Sequence, residues 1–215
     1  SRRVLISHYF EKLPSCVSIL DGQSGRLVST VALNEPSGKP HNGHAGGIAV
    51  AEKSLFVASD GRVLQYELSP FLYDSPPVSL AAKGTRQCET EASFCSATSD
   101  LLLVGEFAYG SDYPTDVSHH LKDRQGVRKY AWVCGYRLTD PLGKPQCVLS
   151  VRQRVQGMCV WKNRVFLSVS YGRRNRSRIV VYRNPIGEPA HRNVKLRGKT
   201  VPLWFLDGEN YLGVI

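Results

Sequence analysis

Ala45-Gly46-Gly47-Ile48-Ala49-Val50-Ala51 precedes Leu55-Phe56-Val57-Ala58-Ser59, and the same design returns twice. Glu91-Ala92-Ser93-Phe94-Cys95-Ser96-Ala97 precedes Leu101-Leu102-Leu103-Val104-Gly105, and Val155-Gln156-Gly157-Met158-Cys159-Val160-Trp161 precedes Val165-Phe166-Leu167-Ser168-Val169. Each time an apolar residue of the first run (Ile48, Phe94, Met158) stands seven positions before the first of the second (Leu55, Leu101, Val165). Tight polar turns separate the runs: Glu52-Lys53, Ser99-Asp100 and Lys162-Asn163. β-branched and aromatic runs broken by such turns are hairpin patterning, and helical periodicity is nearly absent.

Working outward, each pair is followed by a third run: Val63-Leu64-Gln65-Tyr66-Glu67-Leu68, Val133-Cys134-Gly135-Tyr136-Arg137-Leu138 and Ile179-Val180-Val181-Tyr182-Arg183. Apolar, Tyr, charged is the recurring order. A fourth run closes the unit, as in Val78-Ser79-Leu80 and Val148-Leu149-Ser150-Val151. The period is 46 residues from Ile48 to Phe94 and 64 from Phe94 to Met158. Four antiparallel strands at this spacing predict an all-β chain folded as a β-propeller. The expected units are 1–40, 41–87, 88–152 and 153–198, with a closing segment at 199–215. The first unit lacks its first strand: Val4-Leu5-Ile6-Ser7, Val17-Ser18-Ile19-Leu20-Asp21 and Leu27-Val28-Ser29-Thr30-Val31 match strands two to four. Thr200-Val201-Pro202-Leu203-Trp204-Phe205-Leu206-Asp207 is the expected replacement, which would remove a sheet edge. That makes four blades, or five if the chain is incomplete. A β-sandwich explains the strands but not their shared spacing.

The chain has 215 residues, of which 42% are hydrophobic and 21% charged, so it folds as one globular domain rather than staying disordered. No run reaches the roughly 18 apolar residues of a membrane-spanning helix. It opens Ser-Arg-Arg, without a targeting segment, as expected of a processed chain. A net charge of +10 favours an acidic glycan or protein partner. Nucleic acid is disfavoured because no row of aromatics accompanies the basic run Arg173-Arg174-Asn175-Arg176-Ser177-Arg178. Arg173, Arg174, Arg176 and Arg178 are candidates for bidentate phosphate or sulfate contacts, against the plainer reading of a solvated loop. Asn175-Arg-Ser177 is a glycosylation sequon.

The opening His44-Ala45-Gly46-Gly47-Ile48-Ala49-Val50 resembles the His-x-Gly-Gly-Ile-Ala-Val blade opening of secreted, bacterial extracytoplasmic β-propeller proteins. Val104-Gly105-Glu106-Phe107, Val155-Gln156-Gly157-Met158 and Ser170-Tyr171-Gly172-Arg173-Arg174-Asn175-Arg176-Ser177 are similar to that group too, over most of residues 41–183. The resemblance implies the propeller fold and carries over no catalytic residue.

Six cysteines contain no Cys-x-x-Cys. Cys88 and Cys95 flank a short polar loop, and Cys134 and Cys147 count as opposite each other across a turn. Both pairs are expected disulfides, with buried thiols as the alternative, and they point to a secreted or lumenal compartment. In a propeller the fourth-to-first and second-to-third connections share one rim. Ligand-face candidates there are His8, His41, His44, Asp60, Glu91, Glu106, Gln156 and Tyr171. The longer third unit places its extra residues, with Asp112, Asp116, His119 and His120, between Ala108 and Val127. His41 and His44 invite a shared divalent metal, but a Gly-rich loop suits a turn role better, and no cofactor is expected. The expected function is a non-catalytic binding or structural module presenting this basic, loop-rich face. The alternatives are a metal-dependent propeller hydrolase or lyase using His44 and Glu106, and a subunit of a large assembly.

Overall fold

Alternation along each run and the turns between runs fold the chain into short strands. The computed structural model describes residues 2–140, 144–172, 174–208 and 210–214. Blade 1 holds β1 (Arg3–His8), β2 (Cys16–Asp21) and β3 (Leu27–Asn34). Blade 2 holds β4 (Gly47–Ala51), β5 (Ser54–Ser59) and β6 (Arg62–Glu67); after α1 (Ser69–Leu72) and β7 (Ser79–Ala81), β8 (Gly84–Gln87) completes it. Blade 3 holds β9 (Phe94–Ala97) and β10 (Leu101–Gly105). A 3-10 turn (Val117–His119) and the hairpin β11 (Leu121–Lys122)–β12 (Arg128–Lys129) then intervene before β13 (Ala131–Arg137) and β14 (Cys147–Val151). Blade 4 holds β15 (Val155–Trp161), β16 (Arg164–Val169) and β17 (Arg178–Arg183). Past the hairpin β18 (Arg192–Leu196)–β19 (Lys199–Phe205), β20 (Asn210–Val214) pairs with β17. The four sheets are arranged as a four-bladed β-propeller.

Two segments differ from expectation, one read as a fourth strand and one as the strand completing the first unit. The Val78–Leu80 region does not close blade 2. Its strand β7 runs parallel to β3 on the outside of blade 1, with Ala32 donating to the Val78 carbonyl and Ala82 to the Asn34 carbonyl, while β8 takes the place beside β6. Likewise Thr200–Asp207 does not fill blade 1. β19 runs parallel to β14 on the outside of blade 3, with Val148, Leu149 and Ser150 opposite Leu203, Trp204 and Phe205. The reason lies in its two apolar faces. Val201, Leu203 and Phe205 join the core between blades 2 and 3, and Trp204 and Leu206 the core between blades 3 and 4. Blade 3 has a neighbour on either side and covers both.

Each inner sheet is apolar on both faces, so adjacent residues of one strand serve different cores. On β5, Leu55 and Val57 pack toward blade 1, with Val17, Ile19, Val31 and Leu33, while Phe56 and Ala58 pack toward blade 3, with Leu102 and Val104. The third-strand tyrosines Tyr66, Tyr136 and Tyr182 are all fully buried. The Tyr66 hydroxyl donates to the Asn34 carbonyl at 3.1 Å, and the Tyr136 hydroxyl accepts from the Glu89 amide at 2.9 Å, so two of them tie a third strand to the connection entering their blade. Burial pushes both phenols up. Among the described residues three such cores form. The remaining faces of blades 1 and 4 present Val4, Ile6 and Trp161 to solvent.

Phe94 sits opposite Gly105, and a Cβ at Gly105 would lie 2.1 Å from the Phe94 ring. Glycine there lets the ring lie flat on the neighbouring strand. Phe94 is 1% exposed and faces blade 4, whereas Ile48 and Met158, its counterparts in the sequence repeat, face the preceding blade and are only half-buried; in blade 3 the equivalent place belongs to Cys95, opposite Val104, so the repeat register is off by one residue there. Phe94→Ala is expected to cost about 3–5 kcal/mol in chemical denaturation. A loss under about 1 kcal/mol would contradict this packing.

All six cysteines are free thiols, against the expected Cys88–Cys95 and Cys134–Cys147 bonds. The register explains the second pair: Gly135, not Cys134, stands opposite Cys147, whose sulfur lies over it. Cys134 therefore faces blade 2 and Cys147 blade 4. Cys95 Sγ points to the carbonyls of Gly47 and Phe56 in blade 2, whereas Cys88 Sγ turns to the Arg86 carbonyl. Burial pushes Cys88, Cys95 and Cys147 up to about 12. In a thiol assay without reductant, the exposed Cys159 is expected to react first and all six in denaturant; fewer than six would reveal a disulfide.

Candidate functional site

A chain of contacts places the candidates along one rim. The Tyr9 ring lies 4.3 Å from that of His44, next to His8. His44 Nδ1 meets Asp60 Oδ1 at 2.6 Å, and its amide donates to Asp60 Oδ2 at 3.0 Å. Gly61 donates to the Glu91 carbonyl, and Phe107, next to Glu106, donates to Ser93 Oγ. Arg154 donates to the Ala108 carbonyl, Ser170 donates to the Arg154 carbonyl, and Tyr171 and Gln156 complete the row. Lys53 and Lys162 lie in the first-to-second turns, at the far ends of the strands.

Within that rim the roles divide. His41 is fully buried: its Nδ1 meets Glu35 Oε1 at 2.7 Å, and its Nε2 lies 3.2 Å from both Ser59 Oγ and the His44 carbonyl. Arg62 clamps Glu35 through both carboxylate oxygens, at 2.7 and 3.0 Å. This network pins the loop before β4 to the turn after β5. The His41 and His44 rings thus turn to different carboxylates instead of sharing an ion. Among the described residues no three His, Cys, Asp or Glu converge as a metal set. Glu106 is 1% exposed, paired with buried His119 at 2.7 Å and accepting the Trp132 amide at 2.9 Å, while the His119 ring stacks on Trp132 at 4.0 Å. A carboxylate so enclosed anchors the insertion and has no route to a substrate.

The feature that sequence reasoning passed over is aromatic. Arg154 adopts a left-handed backbone (φ 68°), a sparsely populated conformation for a residue with a side chain. Its guanidinium lies 4.4 Å from the Tyr109 ring centre and 5.9 Å from that of Tyr171. Those two rings lie 3.8 Å apart, and Phe107 meets Tyr113 edge-on at 5.0 Å. The Tyr171 hydroxyl donates to Asp112 at 3.2 Å, and burial together with that carboxylate raises its phenol above the ordinary range. Arg154 Nε is buried without a hydrogen-bond partner. The spacing of Phe107, just before the insertion, and Tyr109 and Tyr113, inside it, was the available signal. Of the basic run, Arg174, Arg176 and Arg178 are exposed, Arg173 lies outside the described residues, and Asn175 is exposed with its side chain donating to the Tyr171 carbonyl at 2.6 Å. Glu91 and Gln156 are exposed.

No family model and no curated protein matches this chain. Among solved structures it is similar to Kuenenia stuttgartiensis hydrazine synthase, at 7% identity and TM-score 0.44, over 78% of this chain and 40% of that one. It is also similar to the computationally designed Ika4 protein, at 11% identity and TM-score 0.40, over 81% of this chain and 91% of that one. The chain spans less than half the length of the hydrazine synthase chain it matches.

Burial by itself raises the Asp60 and Glu35 carboxyls, but hydrogen bonds from His44 on one, and from Arg62 and His41 on the other, outweigh it. Both titrate below their ordinary values of 3.8 and 4.5. Carboxyls depressed in the folded state stabilise it fully above those ordinary values and lose that contribution as pH falls through the folded ones. Melting temperature is expected to drop on acidification below about pH 4, and Asp60→Asn to make that acid limb shallower. An unchanged slope in the variant would remove Asp60 from the network.

Proposed function

We propose that the protein is a non-catalytic binding module that holds an anionic group of a protein or acidic glycan partner on its loop-bearing rim. The observation that carries this reading is the Arg154 guanidinium, stacked against two tyrosines with a buried Nε left unpaired. A planar cation backed by aromatic faces is less hydrated than an ammonium and accepts carboxylate or sulfate by two parallel hydrogen bonds. Exposed Arg174 and Arg176, a few residues past Tyr171, extend the positive charge, and the net charge of +10 steers anions toward it. Nothing in the reading calls for a metal or a cofactor, and the buried pairing of Glu106 argues against the hydrolase or lyase alternative. With all six thiols free, the cysteines lend no support to a secreted placing.

Two probes test it, a sulfated heparin oligosaccharide and an oligoglutamate peptide, titrated by calorimetry. Arg154→Lys keeps the charge but loses the fork and the stack, and is expected to weaken whichever probe binds by about tenfold. Lys53→Glu and Lys162→Glu change the net charge at the opposite rim and are expected to have small effects. Equal losses in all three variants would reduce the binding to general electrostatics and discard the site.

A further inference from the structure

The insertion of blade 3 begins with a small hairpin. Tyr109 and Tyr113 donate to each other's carbonyls at 3.0 and 3.1 Å, and Gly110, with φ 51°, opens the turn between them. Residues directly opposite in an antiparallel pair project to the same side, so both rings stand on one face of the hairpin. Tyr109 carries the Arg154 guanidinium and the Tyr171 ring; Tyr113 adds a ring that is 52% exposed and that Phe107 meets edge-on. The hairpin is tied down beyond its second strand, where Thr115 Oγ1 donates to the Tyr130 carbonyl at 2.6 Å and buried His119 pairs with Glu106. Guanidinium and rings thus form one fixed surface with an open end at Tyr113.

A carboxylate belongs to the same surface. Asp112, in the turn of the hairpin, is exposed and takes the Tyr171 hydroxyl through Oδ2. An occupant therefore meets a fork for one anion, a half-free aromatic ring, and an acceptor that repels further negative charge. An acidic peptide, a sulfate-dense glycan and a phosphate backbone each bring several charges close together and meet that last group unfavourably. A uronic acid answers all three. It has one carboxylate per ring, hydroxyls that donate to a carboxylate, and a C–H face that packs on an aromatic ring. Gln156, exposed on the same rim, supplies a further hydroxyl partner.

We propose, on the footing of the anion-holding role of Arg154, that this rim takes a uronic acid residue of an unsulfated acidic glycan. Arg154 grips the carboxylate by two parallel hydrogen bonds, the Tyr113 ring carries the sugar face, and Asp112 accepts the ring hydroxyls. The net charge of +10 brings the glycan in, and Asp112 selects against chains of denser charge.

The probes are tetragalacturonate and a hyaluronan hexasaccharide, two unsulfated uronate chains, compared by calorimetry with an oligoglutamate peptide, a heparin oligosaccharide and methyl-esterified tetragalacturonate. Saturable binding is expected for at least one uronate probe and none for the methyl ester, which keeps the sugar and lacks the charge. Tyr113→Ala is expected to weaken that uronate probe by about tenfold and to leave oligoglutamate unchanged, while Tyr113→Phe binds as wild type. Asp112→Asn, of the same shape, is expected to weaken the uronate and strengthen oligoglutamate, a reversal of sign that a folding defect would not produce. No binding of either uronate, or equal losses of uronate and oligoglutamate on Tyr113→Ala, would overturn the proposal, while a loss on Arg154→Lys would still uphold the anion site itself. A Tyr113-dependent loss confined to heparin would overturn it in favour of a sulfated chain. If Arg154→Lys altered no probe, the binding role of Arg154 and this proposal would fall together.

Discussion

Burial of small sheets against one another is the constraint on which the rest of the structure depends. A sheet of three or four short strands with apolar residues on both faces is unstable in water unless both faces are covered. Stacking blades around an axis covers them in sequence, with blades 2 and 3 each serving as the wall of two cores and blades 1 and 4 of one. The alternation on β5 shows this at single-residue resolution, with Leu55 and Val57 given to one neighbour and Phe56 and Ala58 to the other. The positions of the rim loops follow from it, because the strands that carry them stand where an apolar face is covered by a neighbouring blade.

The same constraint accounts for the two parallel additions. In blades 2 and 4 the connection between third and fourth strands reaches back to the outer edge of the preceding blade before returning. β7 lies beside β3 and β19 beside β14, so the four blades associate as two similar pairs. Covering an outer edge this way satisfies its free amides and carbonyls and joins consecutive blades by backbone hydrogen bonds as well as by side-chain packing.

At the rim, polar groups do structural work and aromatic groups are left available. Three carboxylates with evident chemical potential, Glu35, Asp60 and Glu106, are each committed to a histidine, and two of those histidines are buried. Such networks hold long loops in one conformation, since a buried carboxylate or imidazole is costly unless every partner is in place. Their product is a rigid platform on which Arg154, Tyr109 and Tyr171 are set in fixed positions. Rigid presentation of a few groups by ordered loops is what a binding surface needs, and it lowers the entropy lost when a partner docks.

The amino-acid sequence by itself determined the strands, their repeat and the propeller. It could do so because alternation and turn chemistry are local, and because three copies of one spacing support each other. The rim was legible for the same reason: strands that alternate in direction fix which connections share a side. Only the tertiary structure decided where two of the closing segments went. Val78–Leu80 and Thr200–Asp207 carry strand patterning but no label naming the edge they join, and that edge is set by long-range pairing with β3 and β14. Counting across a turn also misplaced Cys134 by one residue, and in a strand one residue is the difference between two faces. Glu106 and His41 read in the sequence as exposed ligand-face candidates, because burial and pairing are properties of the assembled rim. Arg154 gains its meaning only from two tyrosines that come from a different blade connection and from the insertion. That meeting is long-range, set by the packing of blade 4 against blade 3.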